Sequence, residues 1–308
     1  MVTTVFIDGG YGTTGLCIAN RLKDIPHIKL QTISPEKSKC SDERRRLLNT
    51  VDIAILCLPD EASREATAMI ENKHTRIIDA SPAFRITNGW IYGLPEIDKS
   101  QRYKIKHADK VSIPGCHASG FILITRPLVD ADIISKGACL SCFSVTGYSG
   151  GGKQMIADYQ FGPFKGSSPR QYAMTQNHKH VPEMCKFSGL IRQPIFLPVV
   201  ADFYSGMAVT VPLADVTPDS IREILSDYYC DEKIVHVLSK EETDRLNGII
   251  TADTYAGLDI MGIIVQGIPG HVTVTALYDN LGKGASAAAL QCLNIMLEQC
   301  EWNGLRLS

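Results

Sequence analysis

The sequence predicts an α/β protein with two domains, the first built on a parallel sheet and the second on a mixed or antiparallel sheet. Strand-like and helix-like segments alternate over the first eighty residues, which favours βαβ units with a parallel sheet covered on both faces. Longer runs with period-two alternation follow residue 120, and such runs are typical of antiparallel strands. The length of 308 residues is typical of two domains.

The N-terminal elements follow from apolar spacing and from the turn residues between them. The run TTVFIDGG predicts a buried strand that ends at a glycine turn, and TGLCIANRLKDI predicts a helix because its apolar residues share one face. IKLQTIS predicts the second strand. The next segments predict a polar helix, a buried strand, a helix and a strand, in the order ERRRLLNT, VDIAILCLP, EASREATAMIENK and TRIIDAS.

The later elements place the boundary between the domains. KVSI predicts a further parallel strand and FILITRPLVDA a helix. The period-two runs GACLSCFSVTGYS, FYSGMAVTVPL and HVTVTALYDNL predict strands of the second domain. The Ala- and Leu-rich segment KGASAAALQCLNIMLEQC has the i, i+3, i+4 spacing of a helix. We expect residues 1–115 and 281–308 to form the first domain and residues 116–280 the second.

The composition and the net charge favour some classes of protein and of partner over others. With 44% hydrophobic and 21% charged residues it is typical of a globular protein, and the formal net charge of −2 disfavours nucleic acid and anionic membrane as partners. No run approaches the roughly 18 apolar residues that span a bilayer, and the N-terminus lacks the pattern of a signal peptide. The ten cysteines lie mostly in apolar segments, which predicts reduced thiols and a cytoplasmic protein.

Two of the cysteines form a C-x-x-C pattern that could indicate a metal or redox site. Cys139 and Cys142 fall in a strand-like run, where residues three apart face opposite sides of a sheet. No second pair of thiols follows at the spacing of a zinc site. We therefore predict a structural role for this pair and no metal cofactor.

A glycine-rich turn lies between the first strand and the first helix. In GGYGTTG the glycines Gly10, Gly12 and Gly15 satisfy the pattern G-x-G-x-x-G. In this context glycines let the main chain approach a pyrophosphate, and the helix N-terminus around Thr13 and Thr14 offers N–H groups to its charge. The stretch therefore predicts a Rossmann-type dinucleotide-binding domain. The alternative is a glycine turn that only packs the helix on the strand.

The end of the second strand bears on the choice between NAD and NADP. NAD sites place an acidic residue about 20 residues beyond the glycines, where it binds the ribose hydroxyls. This position holds SPEKSK, in which Ser34 and Lys37 suit a 2′-phosphate and Glu36 is the only acid. We predict NADP as the cofactor, and a solvated loop without a binding role is the alternative.

Cys116 is a candidate nucleophile because of its position in VSIPGCHASG. It follows the predicted strand KVSI and precedes the predicted helix FILITRPLVDA. Open α/β sheets bind ligands at the carboxyl ends of their strands. The N–H groups at a helix N-terminus favour a thiolate over a thiol and lower the pKa of such a cysteine.

A cysteine nucleophile needs an acid/base partner. The stretch NHKHVPE supplies His178, His180 and Glu183 within seven residues. No third metal ligand follows at a convincing interval, so we interpret one imidazole, preferably His180, as the acid/base group that Glu183 orients. The spacing leaves the choice between the two histidines open, and a surface loop without a chemical role is the alternative.

Seven motifs occur in the order typical of one enzyme family. They are IDGGYGTTG, DASPAFR, YGLPEI, PGCHASG, TGYSGGGK, NHKHVPE and DNLGKGAS. Along its whole length the chain resembles the shorter form of the N-acetyl-gamma-glutamyl-phosphate reductase family. The resemblance implies reduction of N-acetyl-L-glutamyl 5-phosphate by NADPH to the 5-semialdehyde, with release of phosphate, in arginine biosynthesis. It also implies an architecture similar to aspartate-semialdehyde dehydrogenase and glyceraldehyde-3-phosphate dehydrogenase.

The resemblance assigns roles to individual residues. It implies that Cys116 is the nucleophile, although this chain has His117 where the family usually has Tyr. It supports the acid/base element and places Ser81 and Arg85 near the substrate, where Arg85 suits a phosphate or a carboxylate. A salt bridge at the domain interface is the alternative for Arg85. Further cofactor contacts are implied at Ser149, Gly150, Gly151, Asn280 and Lys283.

The resemblance also bears on partners and on rival functions. It implies a small-molecule substrate and a homotetramer or homodimer. Two rival functions stay open. One is an acyl-phosphate reductase of the aspartate-semialdehyde dehydrogenase type, and the other is a non-catalytic NADP-binding redox sensor in which Cys116 reports oxidation.

Overall fold

The computed structural model describes residues 2–23 and 25–308. The chain forms two compact units. The first comprises the chain up to Pro114 together with Ala285–Leu305, and the second comprises Gly115–Gly284 and Arg306–Ser308. In the described part of the chain, no helix has the length and apolar character needed to cross a membrane.

The first unit is built on a parallel sheet of six strands. The strands are β1 (Thr3–Asp8), β2 (Ile28–Gln31), β3 (Ile53–Leu56), β4 (Arg76–Asp79), β5 (Ile91–Tyr92) and β6 (Lys110–Ser112). All pairs are parallel, in the order β2-β1-β3-β4-β6-β5. The helices between them are α1 (Thr13–Leu22), α2 (Ser41–Leu48), α3 (Asp60–Ala68) and α4 (Gln101–Lys106).

The strand β1 shows why this sheet is covered on both faces. Val5 and Ile7 lie in one apolar core together with residues of α1. Phe6, between them, lies in a second core with residues of α2 and β3. Because successive side chains on a strand alternate between faces, a strand that is apolar at each position needs cover on both sides.

The second unit is built on a mixed sheet of seven strands. The strands are β7 (Ser141–Gly147), β8 (Arg170–Gln171), β9 (Ile195–Ala201), β10 (Met207–Ala214), β11 (Val235–Val237), β12 (Met261–Ile268) and β13 (His271–Tyr278). Their order is β11-β12-β13-β10-β7-β9-β8. The pairs β7–β9 and β11–β12 are parallel and the others antiparallel. The predicted fold class, a Rossmann-type parallel sheet with a second mixed-sheet domain, is thus confirmed.

One long helix, α5, contacts several other elements of the second unit. The helices of this unit are α5 (Cys116–Asp130), α6 (Gly152–Gln160), α7 (Val181–Ser188), α8 (Pro218–Tyr228) and α9 (Lys240–Arg245). The helix α5 packs on α7 and α8 and on the strands β10 and β13. A short π-helical turn over Gly282–Ser286 then leads to α10 (Ala287–Met296), which returns to the first unit.

Several predicted boundaries were wrong. The helix predicted over 121–131 begins at Cys116, because the small residues of CHASG pack as its first turn. The helix predicted from Lys283 begins at Ala287, after the π-helical turn. The strands β9 and β12 are not among the predicted elements: Pro198 interrupts the pattern of β9, and short apolar runs are ambiguous between helix and strand.

The C-x-x-C pair does not form one face of a strand. Cys142 lies on β7 and is buried, whereas Cys139 precedes β7 and is exposed. All ten cysteines of the chain are free thiols.

The motif YGLPEI contributes a buried side chain to a hydrogen-bond network in the first unit. Its Glu96 is buried and accepts a hydrogen bond of 2.6 Å from the side chain of Gln291 on α10. Gln291 also donates to Glu301, which Arg102 on α4 binds at 2.7 and 2.9 Å. The motif therefore has a structural role that does not depend on catalysis.

Candidate active site

Cys116 is the first residue of α5 and is half-buried. The residue before it, Gly115, is the N-cap in an extended conformation and makes no side-chain cap. The first N–H groups of a helix have no partner within the helix. The thiol therefore lies at the positive end of a fifteen-residue helix dipole.

The histidine element forms the N-terminal end of α7. His180 is the N-cap of this helix, Pro182 and Glu183 lie in its first turn, and Gly189 ends it at a φ of 80°. Proline early in a helix and glycine in the left-handed conformation at its end are the usual signals for these positions. Because α7 packs on α5, its first turn faces the start of the thiol helix.

The contact between the two helix ends occurs at Gly115. A Cβ atom at this glycine would lie 2.3 Å from His180 Nε2 and 2.6 Å from Glu183 Oε1. Glu183 is 1% exposed, and its Oε2 accepts a hydrogen bond of 3.1 Å from the Gly115 N–H. The carboxylate and the imidazole therefore meet beside the backbone that carries Cys116.

The structure separates the two candidate histidines. The ligand-type atoms of Cys116, His117 and His180 lie within 4.8 Å of one another. His178 is outside this group, and its Nδ1 accepts a hydrogen bond of 3.2 Å from the His180 N–H. The two rings are perpendicular with centroids 4.7 Å apart. His178 thus binds the backbone of His180, and His180 is the histidine of this element that groups with the thiol.

His117 lies beside Cys116 and His180, although it is not among the site residues predicted from the sequence. One ring nitrogen lies 2.7 Å from Ser144 Oγ and the other 2.9 Å from Tyr172 Oη. Burial, with smaller effects from His178 and Lys179, lowers the pKa of His117 to about 3, so the ring is neutral. Its partners lie far away in the sequence, and the only local signal was a histidine at a position where the family resemblance implies tyrosine.

Tyr172 contributes a neutral phenol to this network. Burial, with a smaller effect from Cys116, raises the pKa of Tyr172 above its usual value. The hydroxyl therefore keeps its proton beside the His117 ring.

The first turn of α5 contains an inserted tyrosine. The Tyr278 hydroxyl donates to the Cys116 carbonyl and accepts a hydrogen bond of 3.0 Å from the Gly120 N–H. A Cβ atom at Gly120 would lie 2.7 Å from this hydroxyl oxygen, and one at Gly284 would lie 2.9 Å from Cys116 Cβ. Glycines are therefore required where the motifs PGCHASG and DNLGKGAS approach the cysteine.

Of the further residues that the resemblance implies for cofactor contact, Ser149, Gly150 and Asn280 lie next to one another. Asn280 is buried, donates from Nδ2 to Ser149 Oγ at 3.0 Å and accepts from the Gly206 N–H at 2.8 Å. Gly150 is adjacent, because its Cβ atom would lie 3.1 Å from Asn280 Nδ2. Lys283 is 1% exposed within the π-helical turn, and Gly151 begins α6 as its N-cap.

Ser81 and Arg85 belong to the first unit, whereas Cys116 belongs to the second. Ser81 Oγ donates to Asp79 at 2.7 Å and accepts from the Ala83 N–H at 3.1 Å, which caps the turn after β4. The buried Arg85 donates from Nε to the carbonyl of Ile113 at 3.0 Å.

The glycine turn fits a pyrophosphate. Gly9 has a φ of 82°, and a Cβ atom there would lie 2.2 Å from the Cys57 carbonyl oxygen. A Cβ atom at Gly15 would lie 2.4 Å from the Gly9 carbonyl oxygen. The helix α1 begins at Thr13 after the N-cap Gly12, without a side-chain cap, so its first N–H groups can face an anion. The sequence also gives the pattern G-x-x-G-x-x-G at Gly9, Gly12 and Gly15, and the positive φ of Gly9 shows that this first glycine is required in the turn.

The segment after β2 is an exposed turn. Ser34 is the N-cap of a short 3₁₀ turn that ends at Lys37, and both are exposed. The pKa of Glu36 is lowered by its own backbone N–H and then by the Ser34 hydroxyl. Tyr11, in the glycine turn, donates to the Ile33 carbonyl at 2.6 Å and so ties this segment to the turn.

The domain families that match the chain agree with these two units. Residues 19–107 match the semialdehyde dehydrogenase NAD binding domain, and residues 116–280 match the semialdehyde dehydrogenase dimerisation domain.

Relatives of almost the same length carry one enzyme name. N-acetyl-gamma-glutamyl-phosphate reductase 2 of Nostoc sp. is 42% identical over 98% of each chain. N-acetyl-gamma-glutamyl-phosphate reductase of Sinorhizobium medicae is 45% identical over 96% of this chain and 99% of its own. The chain belongs to the N-acetyl-gamma-glutamyl-phosphate reductase family. The enzyme class predicted from the resemblance is confirmed for this reductase.

Solved structures extend the likeness to the fold of the reductase. Aspartate semialdehyde dehydrogenase II of Vibrio cholerae, in complex with ASA, has a TM-score of 0.72 and 15% identity over 97% of this chain and 99% of its own. Aspartate semialdehyde dehydrogenase of Francisella tularensis has a TM-score of 0.69 and 16% identity over 96% and 100%. These structures share the architecture of the reductase.

Proposed function

We propose that this chain catalyses the NADPH-dependent reduction of N-acetyl-L-glutamyl 5-phosphate to N-acetyl-L-glutamate 5-semialdehyde, with release of phosphate, in arginine biosynthesis. The observation that carries the proposal is the geometry at Gly115, where His180 and Glu183 meet beside the half-buried Cys116. The names of the relatives supply the substrate. The ten free cysteines favour a reducing compartment, the cytoplasm.

Cys116 acts as the nucleophile in this reaction. His180 takes the proton of the thiol, the sulfur forms a bond to the acyl carbon, and the carbon–oxygen bond to the phosphoryl group breaks with its electrons on phosphate. N–H groups at the start of α5 stabilise the oxyanion, since no side chain caps this helix end. The step leaves a thioester on Cys116.

The thioester is then converted to the aldehyde. When bound, NADPH supplies the hydride for reduction of the thioester carbonyl. The resulting thiohemiacetal on Cys116 collapses, so that the carbon–sulfur bond breaks and the aldehyde carbonyl forms. His180 returns its proton to the departing sulfur. Glu183, fixed on the Gly115 N–H, orients the imidazole throughout.

The cofactor is held by main-chain groups of the glycine turn. Their suitability rests on the start of α1, where no side chain caps the first N–H groups. The close approaches at Gly9 and Gly15 fix this helix end against β1 and the turn. Ser34 and Lys37 hold the 2′-phosphate of NADP, a choice that the exposed position of both side chains supports. The residues in this role are Gly10, Gly12, Thr13, Thr14 and Gly15.

The remaining predicted residues divide into contact and positioning roles. Both amide atoms of Asn280 bond within the second unit, so we assign Asn280 to positioning the loop Ser149–Gly151. That loop and Lys283 remain our proposed cofactor contacts. Ser81 and Arg85 remain the proposed substrate residues; the guanidinium of Arg85 suits the phosphate or carboxylate of the substrate.

We propose different roles for the two parts of the chain. We assign NADP binding to residues 1–115 and 281–308, and catalysis and oligomerisation to residues 116–280. We propose that the chain forms a homotetramer or a homodimer through the open face of the seven-stranded sheet, the face that carries Phe143. Phe143 and Ile195, 45% and 46% exposed, share this face with Ile268, which is 64% exposed.

The function is tested by the reverse reaction with purified protein. N-acetylglutamate semialdehyde, inorganic phosphate and NADP should give NADPH, and NAD should be the poorer cofactor. Cys116→Ser should still bind NADPH and should lose nearly all turnover. Faster turnover of aspartate semialdehyde would favour the aspartate-semialdehyde dehydrogenase function, and NADP binding without turnover of either aldehyde would favour the redox sensor.

A further inference from the structure

Three metal-ligating side chains converge at the start of α5. The sulfur of Cys116 and one ring nitrogen each of His117 and His180 lie within 4.8 Å of one another. The ring centroids of the two histidines are 5.4 Å apart. Binding of one metal ion, with bonds of about 2.0–2.3 Å, would bring these three atoms together around it.

The two histidines of this cluster are buried, whereas the cysteine is partly exposed to solvent. His117 and His180 are 3% and 5% exposed, so packing limits their rotation. Cys116 is half-buried, which leaves a path for a small ion from solvent. Hydroxyl groups of Ser144 and Tyr172 hold the His117 ring, and either one can turn away when a ring nitrogen takes a metal instead.

The chemistry of the donors selects a class of metal. One thiolate with two imidazoles suits Zn²⁺ and similar borderline ions and does not suit Mg²⁺ or Ca²⁺. Three protein ligands leave the fourth tetrahedral position for water.

We propose that Cys116, His117 and His180 form a Zn²⁺-binding site whose occupation inhibits the enzyme reversibly. On binding, a sulfur–zinc bond forms, the thiol proton passes to solvent, and no electron is transferred. Inhibition rests on the proposed function, because it requires Cys116 to be the nucleophile, whereas metal binding does not. The metal is an inhibitor here and has no part in the reaction.

The test uses Co²⁺ as a spectroscopic probe and Zn²⁺ as its competitor on the apo protein. Wild-type protein should bind one Co²⁺ with a thiolate-to-cobalt charge-transfer band, and Zn²⁺ should abolish that band. Cys116→Ser should lose the band. His117→Phe should weaken binding by about 100-fold or more, beyond the 10–100-fold typical of residues that only support a ligand.

Two further variants make the test specific. Cys139→Ser changes an exposed thiol of the C-x-x-C pair and should leave Co²⁺ affinity unchanged. His180→Gln should weaken binding as His117→Phe does, and thermal unfolding checks that each variant is folded. Equal affinity in wild type and folded His117→Phe, or a band that survives in Cys116→Ser, would overturn the proposal. If Co²⁺ binds as expected and no aldehyde is turned over, the proposed function alone has failed.

Discussion

At the scale of single residues, two side chains occupy the space beside the α-carbon of Gly115. The His180 ring and the Glu183 carboxylate occupy the positions where a side chain would begin, and the Gly115 N–H holds that carboxylate. The backbone that leads into Cys116 is thereby fixed against the imidazole and the carboxylate. The glycine of the PGC motif is therefore a packing requirement of the site, and its φ is not positive.

Gly115→Ala should lower kcat/KM by about 100-fold or more, because a shift of about 1 Å in a catalytic group has that effect. The added methyl group would lie 2.3 Å from His180 Nε2, so the ring must move. Steady-state kinetics with a parallel NADPH titration measures the effect, and cofactor affinity should stay the same. Gly137→Ala is the control, since its Cβ atom would approach no closer than 3.8 Å to a neighbour. Equal losses in the two variants would contradict this account.

The two histidines should differ in their effect on turnover. We expect His180→Ala to lower kcat by about 10²–10⁴-fold, the usual contribution of general acid/base catalysis. His178→Ala should lower it less, because the hydrogen bond of His178 to the backbone N–H of His180 would act on the position of the His180 ring. Single-turnover rates of both variants decide the order. A larger loss in His178→Ala would show that the acid/base group is His178.

At the scale of elements, the start of α5 is tied to the end of β13. The Tyr278 hydroxyl stands between the Cys116 carbonyl and the Gly120 N–H, the two groups that a regular helix would join directly. Burial raises the pKa of Tyr278 well above its usual value, so the hydroxyl keeps its proton and can donate. The strand thus sets the position of the first helical turn and, with it, of the thiol.

Tyr278→Phe should therefore lower both stability and turnover. Loss of a buried hydroxyl that bridges two backbone groups should reduce the free energy of unfolding by about 1–3 kcal/mol. Tyr229→Phe is a matched control, because its hydroxyl donates to the Leu123 carbonyl of the same helix at 2.6 Å, farther from the thiol. Urea unfolding should show similar losses in both variants, whereas kcat should fall only in Tyr278→Phe. A normal kcat in Tyr278→Phe would separate the bridge from catalysis.

The elements that the sequence predicts well are those with local signals. The strand β1, the glycine turn and α1 combine an apolar run, a backbone that only glycine allows and a helical spacing within residues 3–22. The strands β9 and β12 lack such signals, since one contains Pro198 and the other is a short apolar run. Their place in the sheet depends on pairing with distant strands, which no local pattern records.

The candidate site likewise combines residues with a local sequence signal and residues that only the fold brings close. Cys116 and the element that contains His178, His180 and Glu183 can be selected because their residue types indicate thiol chemistry, although the spacing does not decide between the two histidines. The partners of His117 and the Tyr278 bridge come from other strands, and Tyr278 is 162 residues away from Cys116. Only the fold brings these groups together, so the supporting network could not be predicted from the sequence.

At the scale of the whole molecule, stability should depend on pH through Asp79. This side chain is fully buried at the end of β4, where it accepts hydrogen bonds from the hydroxyls of Ser63 and Ser81. Burial raises the pKa of Asp79 from 3.8 to about 6, against the smaller opposing effects of these hydroxyls. The folded protein therefore holds the proton more tightly than the unfolded chain does.

Asp79 stabilises the folded state most at low pH, and this contribution is lost as the pH rises from about 4 to about 6. The loss is on the order of 3 kcal/mol at neutral pH. Asp79→Asn stays neutral, so its unfolding free energy relative to wild type should rise over this interval and level off above it. Urea unfolding at about pH 4, 5, 6 and 7 measures the difference. A difference independent of pH would contradict the shifted pKa.

The two faces of the seven-stranded sheet differ in their exposure, and this difference bears on the assembly that we propose. One face carries α5, α7 and α8, and the side chains that point to it, such as Cys142 and Ser144, are buried. On the other face Phe143 is 45% exposed between its neighbours Leu197 and Thr210. A partly apolar sheet face that is open to solvent favours contact with a second copy.

Phe143→Glu should therefore dissociate the interface that this face forms. A charge at its centre has no partner and would have to lose its hydration on association, whereas in the separate chain it faces water. Sedimentation velocity should show half the mass of the wild-type assembly: monomers if wild type is a dimer, dimers if it is a tetramer. Ile133→Glu is the control, because Ile133 is 40% exposed in the turn after α5, away from the open face. An unchanged mass in Phe143→Glu, with a normal unfolding transition, would place the interface on another surface.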